Sequence, residues 1–338
     1  MVSLVTGGNG FIGSNVVEVL LKKGKNVRVL AKPKSDIDIL RPFSRDVEIV
    51  EGDIRDREKV IESIEGCSDV YHLAGKCLLW DKNPKSYFDV NVNGTRNVVE
   101  GAVKNNVRRI VYTSTGDAMT FSNGSQRGKV FTENDFPNGN SRKIGPYGIS
   151  KLMAEEVIRT EPEEIEFVIV HPTCPIGKND IMPTEPGKMI RETIEGRLGG
   201  YINRTMNFPN VRDCAEGHVL AMEQGTHGER YILGGENINL GDFVRQVAEI
   251  AGVNPPKISV PYCVALCFAY LSEKSSYLTG EKPRASVEGV KLVRGDFAFS
   301  SGKAERELGY QITSLRGAVE EAVDWHMGRT YNRMLEED

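Results

Sequence analysis

The stretch Thr6-Gly7-Gly8-Asn9-Gly10-Phe11-Ile12-Gly13 decides the fold. It follows a short β-branched run, Val2–Thr6, and leads into a helical pattern over Phe11–Lys23, so it reads as strand, glycine loop, helix. Glycine at 7, 10 and 13 permits a tight turn, close backbone approach to a pyrophosphate and close helix–strand packing, with the anion on the helix N-terminus. Glycines alone would be weak evidence, since turns use them for backbone reasons. In this context they predict a dinucleotide loop that sets Gly7, Gly10, Phe11 and Ile12 against the cofactor. The spacing is G-x-x-G-x-x-G, not the commoner G-x-G-x-x-G.

Outward from this loop, strand-like and helical patterns alternate. Strands are predicted over Val27–Leu30, Val47–Glu51, Asp69–His72, Arg109–Thr113 and Glu166–His171, and helices over Arg57–Glu65, Pro84–Lys104 and Pro146–Arg159. That alternation predicts an α/β fold, a doubly wound parallel sheet covered on both faces. After Pro172 the character changes, with Pro172, Pro175, Pro183 and Pro186 clustered and helices outnumbering strands. The expected division is a nucleotide-binding domain over 1–172 and a smaller, mostly helical substrate lobe over 173–338. The lobe is interleaved with the domain, and Arg230–Leu233 returns as a strand to the main sheet.

The 338 residues exceed one modal domain of about 150. With 43 basic against 47 acidic residues and a formal net charge of −4, no polyanion-binding stripe is announced and no nucleic-acid partner is expected. Six cysteines, at 67, 77, 174, 214, 263 and 267, lack a CxxC pair or zinc spacing, so they read as reduced, mostly buried thiols of a cytoplasmic protein without a metal site. Met1–Thr6 is too short and uncharged for a signal peptide. The apolar run Ile258–Leu271 contains Pro261 and falls short of the roughly 20 residues a membrane span needs. It reads as a buried or lid helix, with a peripheral membrane contact the lesser alternative.

The end of the second strand indicates the nucleotide. An acid there would bind the ribose 2′-hydroxyl of NAD, but Leu30, Ala31 and Lys32 occupy the place, so NADP is favoured over NAD. Asp53 is placed to meet the adenine, unless it caps the helix starting near Asp56. His72-Leu73-Ala74-Gly75 ends the fourth strand in small residues that let backbone lie against the cofactor.

Tyr147 and Lys151 stand four apart, on one helix face if the segment is helical. A phenol titrates near about 10, and a neighbouring ammonium with a helix N-terminus would favour phenolate and ease proton exchange with a carbonyl or alcohol oxygen. Spacing alone carries little, because Tyr270 and Lys274 repeat it. Tyr147, however, follows Gly145-Pro146, a good helix start, whereas Tyr270 lies in the apolar run of the lobe. A hydroxyl at the carboxyl end of the fifth strand can hold the substrate oxygen beside the tyrosine, Thr115 first and Ser114 second. Trp80, Met119 and the segment 116–140 are expected to flank the nicotinamide, with Trp80 and Met119 as an apolar wall or as core.

Taken together these motifs resemble the extended short-chain dehydrogenase/reductase family over nearly the whole chain. The resemblance adds Gly52-Asp53-Ile54, Asn91-Val92-Asn93-Gly94-Thr95 and His171-Pro172 with Gly177 to those above. Within the family the chain looks most like the dihydroflavonol 4-reductase-like branch, including sugar epimerases associated with hopanoid biosynthesis. Val27–Lys32, Leu79-Trp80-Asp81, Pro175-Ile176-Gly177 and Tyr231–Asn237 carry that likeness. The resemblance implies a Rossmann-type fold and a catalytic Thr115, Tyr147 and Lys151. It implies cofactor contacts from Ile54, Leu73, Ala74, Gly75, Tyr147, Lys151 and Pro172, a 2′-phosphate contact at Lys32, support from Asn91 or Asn93, and a homodimer. Departures exist. Sugar-nucleotide epimerases of the family carry Arg-Pro and Tyr-Gly where this chain has His171-Pro172 and Ile176-Gly177. Dehydratases place Asp-Glu directly after the threonine, where Gly116-Asp117 stands here, so Asp117 reads as an ordinary loop carboxylate.

The expected activity is NADPH-dependent reduction of a ketone or aldehyde, with Tyr147 as the acid. The alternative is an NAD(P)-dependent epimerase of a sugar or sugar nucleotide working through a keto intermediate. A non-catalytic nucleotide sensor would need the glycine loop but not the Thr/Tyr/Lys set.

Overall fold

Successive residues of a strand face opposite sides, and in the first strand Leu4 and Val5, both fully buried, feed two different cores. The computed structural model describes residues 1–119, 127–136, 145–160 and 165–337. Its first half comprises β1 (Val2–Thr6), α1 (Phe11–Lys22), β2 (Asn26–Ala31), β3 (Val47–Glu51), α2 (Arg57–Ile64), β4 (Cys67–His72), the short turn α3 (Lys85–Tyr87), α4 (Gly94–Lys104), β5 (Arg109–Thr113), β6 (Val130–Phe131), α5 (Pro146–Thr160) and β7 (Glu166–Pro172). Then follow α6 (Glu185–Ile194), β8 (Thr205–Phe208), α7 (Val211–Gln224), β9 (Arg230–Leu233), β10 (Glu236–Asn239), α8 (Leu240–Ala251), α9 (Tyr262–Thr279), α10 (Val287–Leu292), β11 (Ala298–Phe299), α11 (Gly302–Leu308) and α12 (Leu315–Glu337).

Seven strands form one sheet in the order β3-β2-β1-β4-β5-β7-β9, every pair parallel. On one face Val5, Val29, Val111 and Val168 meet α1 and α7 through Val16, Val17, Cys214 and Val219. On the other, Leu4, Leu30, Val70 and Ile110 meet α2, α4 and α5 through Val60, Val98, Val99, Ala154 and Ile158. Each such aliphatic side chain contributes about 1.5–3 kcal/mol. This is the predicted doubly wound α/β fold, and Arg230–Leu233 does join the main sheet, beside β7. Strand order turns back at β1, with β2 on one side and β4 on the other, which opens a crevice beyond their carboxyl ends.

Later segments add a further packed layer. A third core joins α6, α8 and α12, where Phe208 stacks on Phe243 at 4.0 Å. The antiparallel pair β8–β10 and the parallel pair β6–β11 tie it to the sheet edge.

Two expectations change. The predicted Pro84–Lys104 helix is interrupted by a π-helical turn over Phe88–Asn93, which re-aims the side chains that follow. The apolar run is not buried: in α9 only Ala269 and Ser276 are, while Phe268, Leu271 and Leu278 are exposed by 52%, 67% and 89%. It lies on α10 and the loop after β4, through Leu266, Val287 and the Trp80–Tyr277 ring contact, and its outer face stays in solvent. Among the described residues no helix is long and apolar enough to cross a membrane. The thiols divide as well, since Cys67 and Cys214 are buried but Cys77, Cys263 and Cys267 are exposed.

Gly13 tests the packing directly. A Cβ there would stand 2.1 Å from the Gly7 carbonyl oxygen, so Gly13→Ala must push α1 off the loop and is expected to cost about 2 kcal/mol or more. At Gly10 the same atom meets only the Gly7 oxygen, at 3.2 Å, and Gly10→Ala should leave the melting temperature close to that of the parent. Thermal denaturation of both variants checks the contrast.

Candidate active site

The glycine loop is held from below. Gly7 adopts φ +68°, and a Cβ there would strike the Ala74 backbone at 2.9 Å, so the turns after β1 and β4 lie side by side. Thr6 ties them: its hydroxyl meets His72 Nδ1 at 2.8 Å and accepts the Ala74 N–H at 3.1 Å, while His72 Nε2 meets the Thr95 hydroxyl at 3.0 Å. Burial pulls His72 down to about 3, so the ring is a neutral spacer. Helix α1 begins at Gly10 with no side-chain cap and no acid in its first turn, leaving a positive terminus for an anion. These residues fit a dinucleotide.

Around this cradle, Phe11, Ile12, Leu73 and Ala74 are half-buried and Gly10, Gly75 and Lys32 exposed. Asp53 does not cap α2, a task that falls to Asp56. Its carboxylate instead accepts from Arg55 at 2.7 and 3.0 Å, and these bonds hold it below the usual carboxylate range. Ile54 is buried against Gly94 and Pro172 is buried with its carbonyl accepting from Gly116, so neither presents an exposed side chain.

Thr115, Tyr147 and Lys151 come together at the carboxyl ends of β4, β5 and β7, each less than a tenth exposed. Thr115 neighbours the Tyr147 phenol and acts to lower its pKa. Ser114, the second choice, turns away and donates to Glu155, which Arg230 also holds at 3.2 Å. His171 Nδ1 donates to the Thr115 carbonyl at 3.0 Å and fixes that backbone. Lys151 donates from Nζ to the Thr113 carbonyl at 2.7 Å and to the Tyr112 hydroxyl at 3.4 Å, not to Tyr147. Burial lowers Lys151 to about 8. A Cβ at Gly75 would come within 3.5 Å of its ammonium, which places the β4 turn directly against the lysine.

The expected drift toward phenolate is overturned. Burial, then the charges of Asp117 and the Cys77 thiol, push Tyr147 well above its ordinary value, and Thr115 offsets only part of this. Desolvation of the anion and the nearby carboxylate outweigh an ammonium that is engaged elsewhere. The balance favours the neutral phenol.

The π turn settles the two asparagines. Asn91 points inward, accepting the Lys76 N–H at 2.7 Å and donating to the Ser150 hydroxyl at 2.8 Å, which pins the β4 loop to α5. Asn93 is exposed and meets Arg96 at 3.3 Å. Met119 is fully buried among Phe131, Ile232, Phe297 and Phe299, so it is core and not a substrate wall. Trp80 is half-buried beside Tyr277. Within the predicted flanking segment, residues 120–126 and 137–140 lie outside the described residues.

Two acids escaped the sequence reading. Asp117 is no ordinary loop carboxylate: it is enclosed beside Thr115, and burial raises it to about 6. Glu288 reaches in from α10 toward the Gly148 N–H in the first turn of α5, and burial followed by the charge of Asp117 raises it to about 7. Gly145 makes room for it, since a Cβ there would lie 2.0 Å from the carboxyl carbon. No local signal marks Glu288, because only the tertiary fold brings α10 to α5. Among the described residues no group of three His, Cys, Asp or Glu side chains could hold a metal.

Comparison with known proteins agrees with this geometry. The model of the NAD dependent epimerase/dehydratase family matches residues 3–234. The "Putative dihydroflavonol 4-reductase" of Synechocystis sp. is 35% identical over 332 residues, covering 97% of this chain and 95% of that protein. "Sterol demethylase protein B" of Methylococcus capsulatus is 30% identical over 332 residues, with 97% and 99% covered. The crystal structure of gox2253 superposes with a TM-score of 0.82 at 36% identity, covering 97% of this chain and 98% of that one.

Glu288 gives the site a measurable pH signature. Its raised carboxyl binds a proton more tightly when folded, so its contribution to stability is present at low pH and lost as pH rises through about 7. Glu288→Gln removes that dependence. The melting temperature of the variant relative to the parent should climb between about pH 5 and pH 8, by the equivalent of roughly 1–3 kcal/mol. A flat difference would mean that the α5 N-terminus already compensates the charge.

Proposed function

The chain belongs to the NAD dependent epimerase/dehydratase family and is an NAD(P)-dependent oxidoreductase, and we propose that it reduces a ketone or aldehyde to the alcohol with NADPH, Tyr147 serving as the acid. One observation supports the reading: Thr115, Tyr147 and Lys151 are gathered and buried at the carboxyl edge of the sheet, and burial pushes the Tyr147 phenol toward its neutral form. With its pKa raised, the phenol is populated in the neutral form, the form that has a proton to give to a developing alkoxide.

A nicotinamide nucleotide, when bound, supplies the hydride. Gly7, Gly10 and the α1 N-terminus would hold its pyrophosphate, and Gly75 and Lys151 would lie along its ribose and nicotinamide. Thr115 donates to the substrate oxygen and keeps it beside Tyr147. Lys151, anchored on the Thr113 carbonyl, sets the positive charge on which the ribose and the developing oxyanion both rely. NADP is supported by Lys32, exposed at the end of β2 where an acid would repel a 2′-phosphate.

Residues 1–172 form the nucleotide domain in this reading and 173–338 the interleaved substrate lobe. A homodimer is supported by Val103 on α4 and Ile149 and Met153 on α5, exposed on two adjacent helices. Free cysteines at all six positions support a reducing, cytoplasmic setting. Epimerisation through a keto intermediate is the second reading, favoured by the family's description. It needs Tyr147 to begin as a base, which the raised phenol opposes.

An oxidation screen of NADPH against NADH over aryl ketones, aldehydes and keto-sugars tests the proposal. Stoichiometric NADPH consumption is expected, with Tyr147→Phe losing about 10²-fold or more of kcat while still binding NADPH. Turnover without net NADPH loss would establish the epimerase instead, and retained turnover in the Phe variant would remove Tyr147 from the chemistry.

A further inference from the structure

His171, the last residue of β7 before Pro172, is fully buried, and its Nδ1 lies 3.0 Å from the Thr115 carbonyl oxygen. A carbonyl can only accept, so Nδ1 carries a proton, and a neutral ring then keeps a bare lone pair on Nε2. Burial draws His171 below its ordinary value and the charge of Glu155 offsets part of this, so the neutral ring is the favoured form.

Nε2 is buried as well, and among the described residues it has no hydrogen-bond partner. Glu155 Oε1 stands 3.8 Å away and accepts from the Ser114 hydroxyl, while Arg230 Nε holds Oε2 at 3.2 Å. Phe136 meets the imidazole edge-on at 5.5 Å, and the Arg230 guanidinium lies 3.8 Å over the Phe136 ring. The imidazole is therefore boxed in by groups on α5, β9 and the segment after β6.

A buried polar atom without a partner costs stability, and an apolar side chain of similar size would avoid that cost. Stability thus gives no reason for a histidine at this place. What the ring supplies, and an apolar side chain cannot, is one N–H, and that N–H goes to the residue that carries the candidate catalytic hydroxyl. The sheet holds the neighbours of Thr115, with the Ser114 N–H on the Val170 carbonyl at 2.8 Å and the Gly116 N–H on the Pro172 carbonyl at 2.9 Å. The Thr115 carbonyl itself is met by His171 Nδ1 and, at the longer distance of 3.3 Å, by the Ala118 N–H. The direction of that carbonyl sets ψ of Thr115, and with it the orientation of the Cα from which the hydroxyl projects.

We propose that His171 is a positioning residue for Thr115: its Nδ1–H, bonded to the Thr115 carbonyl, sets the angle at which the Thr115 hydroxyl meets the substrate oxygen. This rests on the reductase reading given above, in which that hydroxyl touches the substrate. The ring itself gains and loses no proton in the reaction.

Three substitutions separate this role from packing. His171→Leu removes the N–H and the bare lone pair together. His171→Asn keeps the donor, because its amide nitrogen is bonded to Cγ as Nδ1 is, whereas the amide nitrogen of His171→Gln lies one bond further out, as Nε2 does. For a carbonyl that the wild type reduces, kcat should fall about tenfold or more in the Leu and Gln variants and stay within about threefold in the Asn variant, with KM nearly unchanged in all three. The melting temperature of the Leu variant should match or exceed that of the parent. Wild-type kcat in His171→Leu overturns the assignment, as does a loss in His171→Asn as deep as in His171→Gln; if the Leu variant does not fold, the Asn and Gln pair decides. The imidazole nitrogen NMR spectrum, with the His171 signals identified by their loss in His171→Asn, provides a readout that needs no turnover. A proton on Nδ1 is expected, and a ring protonated on Nε2 alone contradicts the bond to Thr115. A wild type that reduces no carbonyl would defeat the reductase reading, while the NMR spectrum still decides whether His171 holds the Thr115 carbonyl, so the two failures are distinct.

Discussion

Seven strands running in one direction leave all their carboxyl ends on one edge, and the chemistry of this protein depends on that constraint. Parallel pairing forces each strand to be followed by a crossover, so the loops after β1, β4, β5 and β7 converge. The first carries the glycines, the second Gly75 and the third Thr115 and Asp117, while β7 itself ends in His171-Pro172. Helix α5 delivers Tyr147 and Lys151 into the same place by packing Ala154, Val157 and Ile158 on the sheet. Apart from Thr115 with Asp117 and Tyr147 with Lys151, the members of this set lie far apart in sequence. The sheet is what brings them within hydrogen-bonding distance.

Convergence also buries what it gathers. Removing Tyr147 from water raises its phenol, removing Lys151 lowers its ammonium, and removing Asp117 and Glu288 raises their carboxyl groups. All four shifts move toward the neutral form, as low-dielectric surroundings require. The site thereby holds exchangeable protons close to where an oxygen would develop charge. Perturbed groups of this kind cluster at functional sites. Lys151 is turned within the cluster toward the Thr113 carbonyl.

Local physics made much of this legible in the sequence. The glycine loop announces itself because Gly7 needs a positive φ and Gly13 a bare Cα. The strands show because their apolar residues alternate between two cores, and Tyr147 and Lys151 show because four residues complete about one helical turn. Less was legible where the decisive neighbour lies far along the chain. Asp117 looks like a loop acid until the fold sets it among Tyr147 and Glu288, and Glu288 has no marker at all. The preference for Asn91 over Asn93 hangs on a π turn that periodicity cannot reveal. Helix α9 fails in the opposite sense: its apolar composition suggests burial, yet the fold leaves one face in water because no element of the described chain covers it. Even the ionisation of Tyr147 could not be read from a tyrosine–lysine spacing, because the lysine's own hydrogen bonds decide where its charge is spent.

The state of Tyr147 is therefore the quantity on which the reductive direction turns. Ultraviolet titration of tyrosinate in the cofactor-free protein, compared with the Tyr147→Phe variant, isolates that single phenol from the other tyrosines. The difference between the two should show no ionisation until well above the ordinary tyrosine value of about 10. A tyrosine that is lost in the variant and ionises below that value in the parent would contradict a protonated acid in this site.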